Sequence, residues 1–543
     1  MPAFAPATVL PTHEVTNQPG EWAGRNLWTS DPVLRAAVLR EGGEWLDAPL
    51  AALGADVGSE HVLELGALAN RHPPELQAFD RRGRRVDEVL FHPAYHELMA
   101  LAMRHGIHDV AWRRNGPGGH VAHAAMLALF TQAEAGVMCP VNMTYAAVPA
   151  LRAGGAADWA GMIVGGQYDP PLRPAAEKNG ITVGMAMTEK QGGSDVRANT
   201  TRAEPADGAW RLRGHKWFCS APMSDAFLTL AHTEKGLSCF LLPRITPDGA
   251  RNAIHLQRLK DKLGNRSNAS AEIEYHGAYA TLLGEEGRGV PVIIGMVHHT
   301  RLGTVAATLG IMAAALAEAA HHTAGRHAFG RALADQAAMT GVLADLALEY
   351  EAAALLVARV ARAFDDEPAL ARLLVAVAKY WLTSRCPAFV FAAMECHGGA
   401  GYVEDGPMPR LFRESPLNAI WEGSGNVIAL DILRTLAREG AAGDALLREL
   451  RLARGAHPAL DRATDALATE LNRTPPGEAD ARFLAERMAL LFQAALLARH
   501  APPFVSDVFT RSRLGGEGGR SFGALPGGTD AKSILARYRG DGA

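Results

Sequence analysis

The stretch MTEKQGGSDVRANTT, residues 187–201, marks the point at which the character of the chain changes. Before it, segments such as HVAHAAMLALFTQAEAG repeat apolar residues at intervals of three and four, which predicts helices. After it, short runs such as WRLRGHKWF and SDAFLTLAHT carry aromatic or β-branched residues and are separated by turn signals. We therefore predict that a helical segment ends, and a compact β-domain begins, near residue 184.

The chain on both sides of this β-domain is predicted to be mainly helical. Residues 1–30 are expected to form an extended arm, and residues 31–180 are expected to be helical. Residues 290–398 are rich in Ala and Leu over a wide face, as in helices that bury one another in a four-helix bundle. The fourth helix of that bundle is predicted near 424–438.

Past the bundle, further helices are expected at 441–474 and 478–500, followed by a Gly-rich tail at 512–530 that we expect to be flexible. The predicted fold class is α+β. Its parts are an N-terminal arm and helical domain (1–183), a β-domain (184–288), a four-helix bundle (289–439) and a C-terminal helical extension (440–543).

Composition excludes several classes of protein. The 543 residues are 48% hydrophobic and 21% charged with a net charge of -4, so no global positive field indicates nucleic acid or an anionic membrane. We see no secretory leader and no uncharged apolar run near the ~20 residues that span a bilayer. The five cysteines form no CxxC pair and the histidines no HExxH motif. We therefore expect reduced thiols, a cytoplasmic location and no metal site.

The opening stretch also contains candidate ligand-binding groups. Thr188, Ser194, Thr200 and Thr201 surround the Gly192–Gly193 turn, and hydroxyls with free backbone N–H groups suit a polar heterocycle or a phosphate. An ordinary hairpin loop is the alternative. Because no GxGxxG motif lies between a predicted strand and a predicted helix, a Rossmann dinucleotide site is not supported.

Three later motifs are ambiguous when taken alone. HKWFCS, residues 215–220, contains Trp217 and Ser220, and a tryptophan in a β-domain is commonly part of the core. RHAFG, residues 326–330, places Arg326 between two helices, where it could clamp a phosphate or form a surface ion pair. CHGGAGY, residues 396–402, is predicted to be a tight loop between helices.

The segment IWEGSGN, residues 420–426, places Glu422 between Trp421 and a glycine-serine-glycine turn, just before a helix-like run. A carboxylate there can stabilise the start of a helix through the helix dipole. It can equally act as an acid-base catalyst if it is desolvated. The segment alone leaves both interpretations open.

Taken together and in this order, the motifs resemble those of the acyl-CoA dehydrogenase superfamily. MTEKQGGSD resembles the MTExxxGSD loop, HKWFCS the KxWIT[NS] strand, RHAFG the RxxFG turn, CHGGAGY the QxxGGxGY loop, and IWEGSGN the YEGT-type segment that carries the catalytic base. Further segments, including HPPEL (72–76), CPVNMT (139–144) and RLKDKLGNRSNAS, resemble the AidB-like branch, the alkylation-response flavoproteins. The resemblance covers nearly the whole chain.

The resemblance implies FAD between the β-domain and the bundle, with Glu422 as the catalytic base. It implies cofactor contacts from Met187, Thr188, Gln191, Gly193, Ser194, Asp195, Trp217, Ser220, Trp421, Gly423, Ser424, Gly425 and Asn426. It also implies that Arg326, with Phe329, holds the pyrophosphate of FAD in a neighbouring subunit, and hence a homo-oligomer, expected to be a tetramer. One departure is Cys219, which stands where the superfamily has a flavin-contacting threonine.

A second departure is the extension, which in AidB-like proteins is associated with double-stranded DNA. Residues 437–543 contain 15 Lys and Arg against 13 Asp and Glu, an excess of the sign that suits DNA but a small one. The candidate phosphate-binding residues are Arg434, Arg511, Arg513, Arg520, Lys532 and Arg537.

The implied function is therefore that of a protein of the adaptive response to DNA alkylation, which binds and protects duplex DNA and retains weak acyl-CoA dehydrogenation. The alternative is a metabolic dehydrogenase of a short or branched acyl-CoA without a DNA role. Direct flavin-dependent repair of a flipped base is a third hypothesis, and no sequence feature argues for it.

Overall fold

The computed structural model describes residues 6–20, 22–114, 116–471 and 477–540. It confirms the predicted α+β class. The N-terminal helices are α1 (Pro32–Gly42), α2 (Asp47–Val57), α3 (Glu60–Arg71), α4 (Pro93–Arg104), α5 (Val110–Arg113), α6 (Gly119–Thr131), α7 (Met138–Ala153) and α8 (Ala157–Ile163).

The prediction that residues 31–180 are helical, apart from interrupting loops, is wrong for one segment. Strands β1 (Glu75–Phe79) and β2 (Arg85–Leu90) form an antiparallel hairpin between α3 and α4. Its turn is closed by the Gly83 N–H, which donates to the Asp80 carbonyl at 3.0 Å, and Gly83 has φ +76°, which a side chain would disfavour. Strands this short contain too few residues for their alternation to be distinguished from the surrounding helical pattern.

The β-domain follows as predicted. Its strands are β3 (Val183–Ala186), β4 (Arg202–Ala206), β5 (Ala209–Ser220), β6 (Ala226–Thr233), β7 (Gly236–Pro243), β8 (Ile254–Leu259) and β9 (Ser270–Leu283). The pairing order is β3-β6-β4-β5-β9-β7, with β8 added on β9, and β6 also pairs with β7, so the path closes on itself. Apolar side chains fill the interior of this closed sheet.

The helical bundle is built around one long helix. The elements are α9 (Gly289–Gly325), the short strands β10 (His327–Ala328) and β11 (Arg331–Ala332), α10 (Ala337–Asp366), α11 (Pro368–Glu395), α12 (Met408–Glu414) and α13 (Gly425–Arg438). Helices α9, α10, α11 and α13 form the predicted bundle. In the described part of the chain, only α9 is long and apolar enough to cross a membrane, and 89% of its apolar window is buried inside the fold.

The C-terminal extension wraps around the bundle. It consists of α14 (Gly440–Arg451), α15 (Pro458–Leu471), α16 (Ala481–His500), α17 (Pro503–Arg513) and α18 (Ala531–Arg539). Helix α16 packs on α10, α11 and α13, and α18 packs on α10 and α1. Residues of the extension therefore share one hydrophobic core with the bundle and the N-terminal helices. Residues 472–474 of the predicted helix 441–474 lie outside the described residues.

The expectation that the Gly-rich tail is flexible is wrong. The ring of Phe522 packs edge-on against Phe389 of α11, with ring centroids 5.7 Å apart. The neighbouring Gly523 N–H donates to a carboxylate oxygen of Asp345, on α10, at 2.8 Å. Glycine content indicates backbone freedom in the unfolded chain, and here the contacts of Phe522 and Gly523 attach the tail to the bundle.

Ion pairs between buried groups join the extension to α10. The Arg513 guanidinium donates to the carboxylates of Asp345 and Glu349, which are both almost completely buried. Arg537, on α18, binds Glu351 with nitrogen-oxygen distances of 2.8–3.1 Å. Carboxylates in such surroundings require a cation, because a buried charge without a partner is strongly destabilising.

Arg513→Ala should lower the free energy of unfolding by about 3–5 kcal/mol, because it leaves Asp345 and Glu349 buried without that cation. The measurement is urea-induced unfolding at fixed pH. The matched control is Arg520→Ala, which removes an exposed arginine of the same extension and should leave the free energy of unfolding essentially unchanged. Equal stabilities of the two variants would contradict a structural role for the Arg513 ion pair.

Candidate active site

A cavity of about 850 Å³ lies where the β-domain, α7, α9 and the Glu422 turn meet. This size is within the range of cofactor and small-molecule sites. Of the predicted site residues, its wall includes Met187, Thr188, Gly193, Ser194, Ser220, Trp421, Glu422, Gly423 and Ser424. The structure thus brings together the two segments that the sequence singled out, although they are more than 200 residues apart.

The 187–201 loop is organised by Glu189, a residue that sequence reasoning missed. The fully buried Glu189 carboxylate accepts hydrogen bonds from the ammonium of Lys216, from the backbone and hydroxyl groups of Thr200 and Thr201, and from the Gln191 amide. Burial acts to raise the pKa of Glu189, but Lys216 and these donors outweigh it and lower that pKa. The carboxylate therefore stays ionised and fixes the loop.

The sequence carried one signal for this pair. Lys216 comes directly before the apolar residues Trp217, Phe218 and Cys219 of a predicted strand, and a lysine buried in such a strand requires an anion. Burial lowers the pKa of Lys216 to about 8, and Glu189 opposes that shift.

Other predicted loop residues have distinct positions. Gly193 lies in the cavity wall, where a Cβ atom would collide with the Thr188 hydroxyl, so glycine permits the close approach. Gln191 points to Glu189 and to the Ala198 carbonyl instead of the cavity. Asp195 is exposed and is not part of the wall.

Strand β5 presents a different aromatic residue from the predicted one. Its pairing with β9 shifts register between Lys216 and Cys219. The backbone N–H of Trp217 donates to the Thr188 carbonyl at 2.7 Å and not to β9. Phe218 lines the cavity, whereas Trp217 lies outside its wall, with the Lys260 ammonium 3.2 Å from its ring centroid. The Cys219 side chain is buried in the barrel core, so its thiol does not replace a hydroxyl at the cavity.

Glu422 adopts a left-handed backbone conformation, with φ +57°, and Gly423 follows with φ +100°. Its carboxylate oxygen accepts a hydrogen bond from the Thr300 hydroxyl of α9 at 2.7 Å. Burial raises the pKa of Glu422, while Thr300, Lys379 and Arg301 oppose the shift. The carboxyl group thus binds α9, and Glu422 does not cap α13, since no side chain does.

The residues after the Glu422 turn face the extension. The Asn426 side-chain oxygen accepts a hydrogen bond at 2.9 Å from Arg482 of α16, and Gly425 lies beside the same guanidinium. Neither residue belongs to the cavity wall, whereas both were predicted to contact the cofactor. Arg482 also lies over the Tyr380 ring, 5.4 Å from its centroid.

Arg326 and Phe329 lie at the far end of α9, away from the cavity. The Arg326 guanidinium donates to the Asn17 carbonyl at 2.9 Å, which ties the N-terminal arm to the end of the helix. Phe329 is 96% exposed with φ +52°, an unusual state for an aromatic residue.

The polar part of the cavity contains a group that lacks a partner. Within the described residues, buried His298 Nδ1 has no hydrogen-bond partner, and both His298 and the Asn142 amide lie in the wall. Together with the hydroxyls of Thr188, Ser194 and Ser220 they supply the donors and acceptors that a polar aromatic ring system requires. The size and chemistry of the cavity therefore fit the flavin of FAD. The described residues contain no cluster of three His, Cys, Asp or Glu that could hold a metal ion.

The six candidate DNA-binding residues divide into two groups. Arg511, Arg513 and Arg537 are engaged in ion pairs with carboxylates of the chain. Arg434, at the cavity, and Arg520 and Lys532, on the extension, are exposed. Half of the predicted positive charge is thus already neutralised within the protein.

Comparisons with known proteins agree with this geometry. The AidB N-terminal domain, described as that of an adaptive response protein, matches residues 17–170, and the middle and C-terminal domains of acyl-CoA dehydrogenases match 184–278 and 287–437. The chain is 44% identical to AidB of Escherichia coli over 94% of this chain and 95% of that protein. It is 32% identical to acyl-CoA dehydrogenase family member 11 of Caenorhabditis elegans, over 76% and 71% of the two chains.

A solved structure supports the same assignment. The Caenorhabditis elegans ACDH-11 structure in complex with C11-CoA matches with a TM-score of 0.80 and 27% identity, covering 98% of this chain and 95% of that one. Fold and cavity together define a flavoprotein of the acyl-CoA dehydrogenase class, whose cofactor is FAD. Within that class, the chain belongs to the AidB family.

Glu189→Gln should weaken FAD binding at least tenfold, or about 1.4 kcal/mol, because the neutral amide leaves Lys216 without its anion and loosens the loop. Fluorescence titration of the apoprotein with FAD measures the dissociation constant. Glu204→Gln, at an exposed position on the adjacent strand β4, is the matched control and should leave it unchanged. An unaltered dissociation constant in Glu189→Gln would show that the network does not shape the site.

Proposed function

We propose that this protein dehydrogenates an acyl-CoA thioester, with Glu422 as the base that removes the α-proton. The observation that carries the proposal is the position of the Glu422 carboxyl group, which lies in the cavity wall and is bound to Thr300, and whose pKa is raised by burial. A base with a pKa nearer the working pH accepts a proton more readily from a weakly acidic carbon. The bound flavin would supply the hydride acceptor.

The surroundings of Glu422 suit both of its protonation states. Thr300 Oγ1 lies 2.7 Å from the carboxylate and 2.9 Å from the Val297 carbonyl, and its single proton can serve one acceptor at a time. With Glu422 ionised, the Thr300 hydroxyl donates to it. When the α C–H bond breaks, the proton passes to Glu422 and the electron pair forms the Cα=Cβ bond as hydride leaves the β-carbon. The protonated carboxyl group can then donate to Thr300, which donates to Val297.

The substrate class rests on the relatives as well as on the cavity. The solved relative with 27% identity is described as a complex with C11-CoA, which supports a CoA thioester as the ligand type. Apolar side chains such as Ile293, Val297 and Ile420 line the cavity and suit an acyl chain. We propose an acyl-CoA substrate and leave the length and branching of its chain to experiment.

Glu422→Gln should slow bleaching of the oxidised flavin by an acyl-CoA panel by about 10²- to 10⁴-fold, because the amide cannot accept the proton. In the wild type the rate should rise with pH, with a midpoint above the ordinary glutamate pKa, since the raised pKa keeps Glu422 protonated at lower pH. Stopped-flow absorbance measures both quantities. Wild-type flavin that no acyl-CoA reduces would overturn the proposed activity.

We further propose that the protein acts in the adaptive response to DNA alkylation by binding double-stranded DNA through the extension. Membership of the AidB family supports this proposal, as does the exposure of Arg520 and Lys532 on the extension. Contacts of this kind would be made to phosphates and would carry little sequence preference.

The double variant Arg520→Glu/Lys532→Glu should bind duplex DNA more weakly and flatten the dependence of log affinity on log salt by about two, because two phosphate contacts are lost. Fluorescence anisotropy over a salt series measures this slope. Arg82→Glu, in the exposed turn between β1 and β2, is the matched control. A slope that is unchanged in the double variant would remove these residues from the proposed DNA surface.

We also propose that the protein assembles as a homo-oligomer, with a tetramer expected. The support is the exposure of two large side chains, Phe329 in RHAFG, which the superfamily resemblance assigns to a subunit boundary, and Tyr402 in CHGGAGY. Phe391 and Phe412 are also exposed. Their ring centroids lie 6.3 Å apart, and they extend the apolar surface.

A further inference from the structure

The backbone of the Glu422 turn is held by cations at three consecutive residues. The ammonium of Lys379, on α11, donates to the carbonyls of Trp421, at 2.8 Å, and of Gly423. Between them, the Glu422 carbonyl accepts a hydrogen bond at 3.3 Å from Arg301 of α9. The carbonyls on both sides of the Glu422 residue therefore converge on one nitrogen atom.

This arrangement is needed because the turn is conformationally unfavourable. A left-handed conformation at a residue with a side chain costs of order 1 kcal/mol or more, and Glu422 is followed by a second left-handed residue, Gly423. A Cβ atom on Gly423 would approach the Ile428 side chain to 2.9 Å, so the turn is also sterically confined. Bonds to a charged donor offset such strain more effectively than bonds between neutral groups.

Lys379 itself lies in surroundings that require a function. It is 1% exposed on a helix whose neighbouring side chains are mostly apolar, and burying a lysine without purpose is unfavourable. Burial lowers its pKa to about 7, while Glu422 opposes that shift. An ammonium has three hydrogens and a neutral amine two, so the carbonyls of Trp421 and Gly423 keep their donor in either state.

We propose that Lys379 is a positioning residue, which holds the Trp421–Gly423 turn in its left-handed shape and thereby aims the Glu422 carboxyl group into the cavity. The role assigned to Glu422 rests on the proposed function. The hydrogen bonds from Lys379 to the turn do not rest on the proposed function, because they involve only the backbone of the turn. Arg301 assists from α9 and also binds Asp431 at 2.7 Å, so its position is fixed independently of the turn.

The first test is hydrogen exchange of the FAD-loaded protein followed by mass spectrometry, which requires no substrate. In Lys379→Met, backbone amides of residues 420–424 should exchange at least about tenfold faster, while those of α13 and β5 stay unchanged. Lys379→Gln retains two amide N–H donors and should give an intermediate rate. Lys379→Arg retains the charge and should stay within about threefold of the wild type. Unchanged exchange in both Lys379→Met and Lys379→Gln would overturn the proposal.

The second test uses the acyl-CoA that reduces the wild-type flavin best. Because the Lys379 charge lowers the pKa of Glu422, its removal should move the acid limb of the pH–rate profile to higher pH. Lys379→Met and Lys379→Gln should show this movement together with a fall in kcat greater than any change in KM, and Lys379→Arg should restore the wild-type limb. A loss of rate without movement of the limb would indicate general damage to the fold and count against the proposal.

The two proposals fail in different ways. If no acyl-CoA reduces the wild-type flavin, the proposed dehydrogenation falls, and the hydrogen-exchange experiment still decides whether Lys379 holds the turn. If the flavin is reduced and exchange and pH profile are both insensitive to Lys379, the dehydrogenation stands and the positioning role falls. FAD content and melting temperature of each variant identify one that has merely misfolded, and Lys379→Gln then carries the test.

Discussion

The burial of α9 is the constraint on which the rest of the structure depends. Helix Gly289–Gly325 is apolar around most of its circumference, so it cannot lie on a surface and must be enclosed. Helices α6 and α7 cover one side, α10 and α11 another, and strand β7 of the barrel packs against its first part. The cavity occupies the space that these neighbours leave open beside it. Thr300 and Arg301 lie on that open side, where the Glu422 turn meets α9.

Ionisable groups inside this fold come in sets with distinct purposes. Glu189 and Lys216 form a pair that fixes a loop. The Glu189 carboxylate remains charged because Lys216 and its hydrogen-bond donors lower its pKa by more than burial raises it. Glu422 is held differently, with one hydroxyl donor and cations directed at its backbone, so its pKa rises. The loop beside the cavity therefore contains a carboxylate that stays ionised, and the cavity wall contains one suited to exchange a proton; the number of donors on each distinguishes them.

The fold class, the β-domain, the bundle and the segments that meet at the cavity were predicted from the sequence, because each lies in a motif with its own turn and hydrophobic pattern. Glu189 was missed as an organising residue, and Lys379 was missed entirely. The meaning of a buried ionisable side chain depends on a partner far along the chain, as Lys379 depends on the Glu422 turn. The superfamily resemblance implied that Trp217 packs against the flavin, whereas Phe218 lines the cavity, at the point where the pairing of β5 with β9 shifts register. Glycine content was also treated as mobility in the tail, whose contacts with α10 and α11 are set by tertiary packing.

The ion pairs between α10 and the extension tie the evolutionary history of the two segments together. Asp345 and Glu351 would be buried acids without a matching cation in a chain that stopped after α13, and Glu349 would keep only Arg385 of α11. A lineage that lost the extension would therefore have to replace these acids, and one that acquired it would have to gain acids and arginines in step. The acidic face of α10 therefore indicates that a chain has the extension. This holds even for a fragment of a related chain that ends before the extension begins.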